Sequence, residues 1–63
     1  MKIKDFLELC ESDYQTISVY DKSTYTRKLY HYTQEVMSKY GYFTLLSWKL
    51  DGDVLRITIQ TEF

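Results

Sequence analysis

The dipeptide Asp51-Gly52 constrains the fold more than any other feature, because it lies between two runs of strand-forming residues. A type I′ β-turn needs positive φ at both central residues, which Gly adopts freely and Asp adopts better than most residues. The sequence therefore predicts a β-hairpin over residues 42–60 with this dipeptide at its tip. In that register Trp48 lies opposite Leu55.

Alternation along the two strands places six apolar side chains on one face of this hairpin. Successive strand residues point to opposite faces, so a register shift of one residue would expose the whole apolar set. The predicted core face consists of Leu46, Trp48, Leu50, Leu55, Ile57 and Ile59. Trp is also common in binding hot spots, but these apolar neighbours favour a core position for Trp48 over an interface position.

The first residues of the chain carry a helical pattern. Ile3, Phe6, Leu7 and Cys10 have the i, i+3, i+4, i+7 spacing of one apolar helix face. We therefore expect an amphipathic helix over residues 2–11. A helix of this length is not stable alone, so it must pack against the rest of the domain.

A second hairpin is expected between this helix and the middle of the chain. Residues 14–20 and 24–32 are rich in Thr, Tyr and β-branched residues, and residues 21–23 form a polar turn between them. Leu29 is predicted to be the surest core residue of the second strand. Which of its tyrosines join the core stays open.

A short helix is predicted between the two hairpins, over residues 34–40. Thr33 is a suitable N-cap, and Gly41 is suitable for the left-handed position that often follows a helix. At the other end of the second hairpin, residues 61–63 are expected to form a loosely held tail.

The predicted order is therefore helix, hairpin, short helix, hairpin. This order is typical of a small α+β fold, with residues 1–63 as a single domain. We expect an antiparallel or mixed sheet covered on one face by the N-terminal helix, and the order of its strands stays open. At 63 residues the chain is near the lower limit for folding without disulfides or metal.

The composition indicates in which cellular compartment the protein is found and whether it enters membranes. A single Cys cannot form an internal disulfide, and no apolar run approaches the length of about 18 residues that a membrane helix needs. These features predict a cytoplasmic protein that does not enter membranes. The net charge is −1, but residues 1–13 carry two lysines against four acids, whereas residues 22–49 carry five cations against one acid.

Four segments of the chain are similar to segments of known proteins. They are residues 4–10, Lys28-Leu29-Tyr30, Leu46-Ser47-Trp48 and residues 53–57. In these segments the chain resembles a group of short proteins carried by conjugative transposons, prophages and other mobile elements of clostridia and related Gram-positive bacteria. The resemblance covers most of the chain, and its motifs are mainly those that determine a fold. It implies an accessory protein of a mobile element, and no catalytic residues or mechanism.

The residues with reactive side chains favour structural roles. Cys10 lies on the apolar helix face near the C-terminal end, where the helix dipole disfavours a thiolate. His31 is the single histidine and has no set of partner ligands at metal-binding spacing. The carboxylate pairs Asp5 with Glu8 and Asp51 with Asp53 are expected on a helix surface and at a turn. We therefore expect no enzyme activity, no cofactor and no metal.

A strand with interleaved basic and aromatic residues is the candidate interaction surface, formed by Tyr25, Arg27, Lys28, Tyr30 and Tyr32. The first hypothesis is a protein-interaction module that binds another protein, or a second copy as a homodimer, through a Tyr-rich sheet face or an edge strand. The alternative is single-stranded nucleic-acid binding, in which bases stack on Tyr and phosphates contact Arg and Lys. The slightly negative net charge disfavours the alternative.

Overall fold

A computed structural model describes residues 1–62 as two helices and four strands. The elements are α1 (Ile3–Leu7), β1 (Tyr14–Asp21), β2 (Thr26–Tyr32), α2 (Thr33–Tyr40), β3 (Thr44–Asp51) and β4 (Val54–Gln60). The α+β class and the order helix, hairpin, short helix, hairpin are therefore confirmed. No helix within residues 1–62 has the length and apolar character needed to cross a membrane.

The four strands form one mixed sheet in the order β2-β1-β4-β3. Each hairpin is antiparallel, and the two hairpins join through a parallel pairing of β1 with β4. Helix α2 connects β2 to β3, which lie at opposite edges of the sheet. The two central strands are thus protected by neighbours on both sides, whereas β2 and β3 are edge strands.

The core lies between one face of the sheet and both helices. Alternation selects this face, because Ile17 and Val19 of β1 lie beside Leu55 and Ile57 of β4 in the parallel register. The complete buried set is Ile3, Leu7, Ile17, Val19, Tyr30, Val36, Leu55, Ile57 and Ile59. The opposite face carries no helix among the described residues, and we call it the open face.

The turn of the second hairpin differs from the prediction. The structure pairs Asp51 with Val54, so Gly52 and Asp53 are the central residues of the turn. Gly52 has φ 61°, and Asp53 is not among the residues with positive φ, which is the type II′ pattern. The register moves by two residues and pairs Trp48 with Ile57. A shift of two residues leaves the side chains of residues 47–51 on their predicted faces. The register shifts again between Leu45 and Ser47, where Leu46 is an extra residue as in a β-bulge. Leu45, which was not predicted on the core face, therefore lies opposite Ile59 and packs against the core.

Burial differs from the prediction at both edges of the sheet. Trp48 on β3 and Leu29 on β2 are each 57% exposed, so the prediction that both lie in the core is wrong. Leu29 pairs with Ser18 and therefore points to the open face. Trp48 does point to the helix-covered side, but its strand lies at the edge, where Phe6 of α1 contacts it with ring centroids 5.5 Å apart. Leu46 and Leu50, also predicted in the core, are exposed.

Helix α1 is shorter than the predicted 2–11. After Leu7 the backbone tightens, because the N–H of Leu9 donates to the carbonyl of Phe6 (3.2 Å) and that of Cys10 to the carbonyl of Leu7 (3.0 Å). These i→i−3 bonds are those of a 3₁₀ turn, which commonly ends a helix. Cys10 is partly buried against the core, whereas Leu9 points into solvent.

The predicted caps of α2 are not formed. Thr33 is the first residue of the helix, and its hydroxyl donates to the carbonyl of Ser12 (3.1 Å) rather than capping the helix. Gly41 has φ −54°, which is right-handed. Glycine is required here for a steric reason instead, because a Cβ at position 41 would lie 2.4 Å from the carbonyl oxygen of Met37.

The predicted loose tail is held at two of its residues. The Ser23 hydroxyl accepts the backbone N–H groups of Thr61 (3.1 Å) and Glu62 (2.9 Å). The Thr61 hydroxyl donates to Asp21 (2.7 Å), and this bond lowers the pKa of the Asp21 carboxyl. Phe63, the last residue of the predicted tail, lies outside the described residues.

Candidate interaction surfaces

The five residues of the predicted interaction strand do not share one surface. Tyr25 lies in the turn before β2, exposed and with φ 56°. Arg27 points to the open face, where it lies opposite Tyr20 of β1. Lys28 lies opposite the buried Val19 and therefore on the helix-covered side. Because neighbouring strand residues point to opposite faces, one ligand on a flat face cannot contact both cations.

The two remaining tyrosines of the predicted strand have different environments. Tyr32 is exposed, and its ring packs against that of Tyr14 with centroids 5.4 Å apart. Tyr30 is only 6% exposed, which corrects its assignment to an accessible surface. It belongs to the core because its register position opposite Ile17 places it beneath α2.

Tyr30 and Tyr40 form a polar contact at the edge of the core. Their hydroxyl oxygens are 2.9 Å apart, and their rings meet edge-on with centroids 5.9 Å apart. The Lys39 ammonium lies 5.3 Å from the centroid of the Tyr30 ring. Burial, and secondarily the hydrogen bond with Tyr30, raise the pKa of Tyr40 to about 12.

This raised pKa predicts a loss of stability at high pH. The unfolded chain ionises Tyr40 near its ordinary pKa of about 10, whereas the folded state holds it neutral to about pH 12. Its contribution is therefore complete below pH 10 and is lost as the pH rises toward 12. We expect the melting temperature to fall less steeply over this interval in Tyr40→Phe than in the wild type. Tyr42→Phe, which alters an exposed tyrosine, should keep the wild-type slope.

An exposed apolar cluster lies where α1 meets the edge strand β3, and sequence reasoning assigned most of it to the core. We call it the β3 apolar cluster. Trp48 contacts Phe6, Leu50 shares the face of Trp48, and Leu9 follows Phe6 by one turn. The exposed fractions are 73% for Leu9, 44% for Leu46, 57% for Trp48 and 61% for Leu50. Together these four side chains expose roughly 400 Å², a size at which apolar patches are often functional.

The outer edge of β3 is free over most of its length. At its start, the N–H of Ile3 donates to the carbonyl of Phe43 (3.0 Å) and the N–H of Leu45 donates to the carbonyl of Met1 (2.9 Å). No other strand within residues 1–62 pairs with this edge. From Ser47 onward the backbone N–H and C=O groups that point away from β4, which belong to alternate residues, are open to a partner.

The open face of the sheet carries a different kind of surface. Its cations are Arg27, Arg56 and Lys49, and its acid within the described strands is Asp51, which pairs with Arg56 at 3.1 Å. The Arg27 guanidinium lies 5.4 Å from the centroid of the Tyr20 ring and donates to the Ser18 hydroxyl at 2.9 Å. The face is thus positive and has one tyrosine near the end of a central strand.

The residues with reactive side chains do not come together in one site among the described residues. His31, Asp5, Glu8 and Asp53 are exposed, and Cys10 packs partly against the core. Within residues 1–62, no group of three or more His, Cys, Asp or Glu side chains is arranged to hold a metal ion. No protein family, curated protein or solved structure matches the chain.

Proposed function

We propose that the chain is a small non-enzymatic protein-interaction module that binds through the β3 apolar cluster and the free edge of β3. The observation that carries this proposal is Trp48, which is 57% exposed beside Phe6 on an edge strand. Trp is the residue type most enriched in binding hot spots, and an open edge can accept the backbone of a partner strand. The two features lie together here.

The β3 apolar cluster is not required to close the core. Nine side chains from all elements except β3 already form the buried set. Burying exposed apolar area stabilises by roughly 25 cal/mol per Å², so covering the cluster with a partner would supply a substantial driving force for association.

The context proposed for this module is a mobile genetic element. The resemblance of residues 4–10 and 53–57 to proteins of clostridial mobile elements supports an accessory role there. A cytoplasmic location fits this role and the single Cys.

Affinity capture from a lysate of a clostridial host tests this function. Tagged wild-type protein, Trp48→Ala and Leu29→Ala are compared, because Leu29 has the same exposed fraction as Trp48 but lies at the other edge of the sheet. We expect captured proteins whose recovered amount does not change on nuclease treatment. Leu29→Ala should recover as much of them as the wild type, and Trp48→Ala at least tenfold less. Equal retention by all three proteins would contradict the proposal.

The alternative function is single-stranded nucleic-acid binding, and the observation that favours it is the positive open face. Bases would stack on Tyr20 while Arg27 and Lys49 contact phosphates. Affinity for a labelled single-stranded oligonucleotide would then fall steeply as salt rises. Lys49→Glu should weaken it, and Lys28→Glu, on the helix-covered side, should not. Captured material that disappears on nuclease treatment would favour this alternative over the protein-interaction module.

A further inference from the structure

We propose that the partner of the β3 edge is a second copy of this chain, paired antiparallel with Trp48 opposite Trp48 of the other copy. This inference rests on the proposed function, because it takes the same surface and names its occupant. Two sheets would then join into one of eight strands.

The limits of the free edge define which residues can pair. Met1 and Ile3 already bond to β3 at Leu45 and Phe43, and Leu46 is the extra residue of a bulge. A regularly paired strand can therefore begin only at Ser47. Strand β3 ends at Asp51, so the available edge is residues 47–51.

Two-fold symmetry restricts the register further. In an antiparallel pair related by a two-fold axis, one residue lies opposite its own counterpart. Centring on Trp48 pairs residues 47–49 of both copies and stops before Met1. Centring on Lys49 would place two ammonium groups opposite each other, which is unfavourable.

The sequence of the free edge is self-complementary about Trp48. Residues 46–50 read Leu-Ser-Trp-Lys-Leu, which is symmetric in polarity. In regular pairing, Ser47 lies opposite Lys49 of the other copy on each side of the Trp48 pair. Leu50 extends beyond this pairing toward the bulge at Leu46 of the other copy. No like charges face each other, so a second copy fits this edge without a separate partner sequence.

The cluster faces the same way in both copies. Residues directly opposite in a sheet share a face, so both Trp48 side chains lie on the helix-covered side, near Phe6 of their own α1. Each copy exposes roughly 400 Å² of apolar side chain, so two copies can bury at most about 800 Å² of it, and the paired backbones add to this area. Interfaces below about 1,200 Å² are typical of weak association, which fits a reversible dimer.

Sedimentation equilibrium, together with the emission spectrum of Trp48 over a dilution series, tests this pairing. Trp48 is the single tryptophan and lies on the proposed axis, so it reports the interface directly. We expect a monomer–dimer equilibrium and a blue shift of emission with the same midpoint concentration. Leu50→Lys should raise the dissociation constant at least tenfold, and Leu29→Lys should change it less than twofold.

Before the comparison, circular dichroism melts establish that Leu50→Lys and Leu29→Lys are both folded. A wild-type protein that stays monomeric to several hundred micromolar would overturn the inference, as would a dimer that survives Leu50→Lys. A monomer would still leave the interaction module intact if Trp48→Ala abolishes capture from the lysate. A dimer with unchanged capture by Trp48→Ala would instead contradict the module while keeping the self-pairing.

Discussion

Replacing Ile57 with Ala is expected to lower the free energy of unfolding by about 3–4 kcal/mol. Ile57 is 1% exposed and lies on a central strand, between Val19 of β1 and Trp48 of β3. Truncation would leave a cavity under both helices that neighbouring side chains cannot fill. Small domains are stable by about 0.05–0.15 kcal/mol per residue, so this change removes much or all of the stability of a 63-residue chain. Urea titration followed by circular dichroism measures the effect.

Trp48→Ala is the matched comparison, because Trp48 lies directly opposite Ile57. Trp48→Ala removes more side-chain area than Ile57→Ala does. We still expect the free energy of unfolding to fall by only about 1 kcal/mol, because the Trp48 side chain is half-exposed and packs against Phe6 on one side. A loss from Trp48→Ala equal to that from Ile57→Ala would contradict the placement of β3 at the edge of the core.

Gly41→Ala has the second largest expected effect on stability, about 1–3 kcal/mol. At an ordinary right-handed position, Gly→Ala stabilises, because it restricts the unfolded chain. Here the added Cβ would lie 2.4 Å from the Met37 carbonyl oxygen, and that oxygen also accepts the Gly41 N–H at 3.0 Å. The backbone must shift, and the contact of the Gly41 carbonyl with the N–H of Lys4 (2.9 Å) shifts with it.

The same urea titration measures whether Gly41→Ala lowers or raises the free energy of unfolding, and we expect it to be lowered. Ser38→Ala, at an exposed position of the same helix, should be neutral or slightly stabilising because Ala has the higher helix propensity. A Gly41→Ala protein as stable as Ser38→Ala would show that the close approach to Met37 does not constrain this position.

Local sequence information predicted which side chains of β4 point to the core. The strand order, and with it the exposure of the edge strands, depends on pairing between residues far apart in the sequence. Leu55, Ile57 and Ile59 are buried as alternation predicts, because period-two geometry depends only on the strand itself. It holds even though the turn lies at Gly52-Asp53 rather than Asp51-Gly52, since the register of residues 47–51 changes by an even number of residues. The bulge at Leu46, which alternation does not predict, puts Leu45 opposite Ile59.

Alternation alone cannot show which strands lie at the centre of a sheet. Strand order comes from the parallel pairing of β1 with β4, which joins residues far apart in sequence. Trp48 and Leu29 have the composition of core residues but lie on the two edge strands, so their exposure was missed. The residues predicted as one interaction surface on β2 do not share a face, because Arg27 and Lys28 are neighbours along the strand and point to opposite sides of the sheet.

Acrylamide quenching of Trp48 fluorescence in the dilute, folded monomer tests the exposed β3 surface most directly. Sedimentation fixes a concentration at which the protein is monomeric, and the urea-unfolded chain gives the limit of full access. We expect a quenching constant in the native monomer that is close to half of that limit or higher, because Trp48 is 57% exposed. Emission that is blue-shifted and almost unquenched in the monomer would mean that Trp48 is buried, and would contradict both the edge position of β3 and the interaction surface built on it.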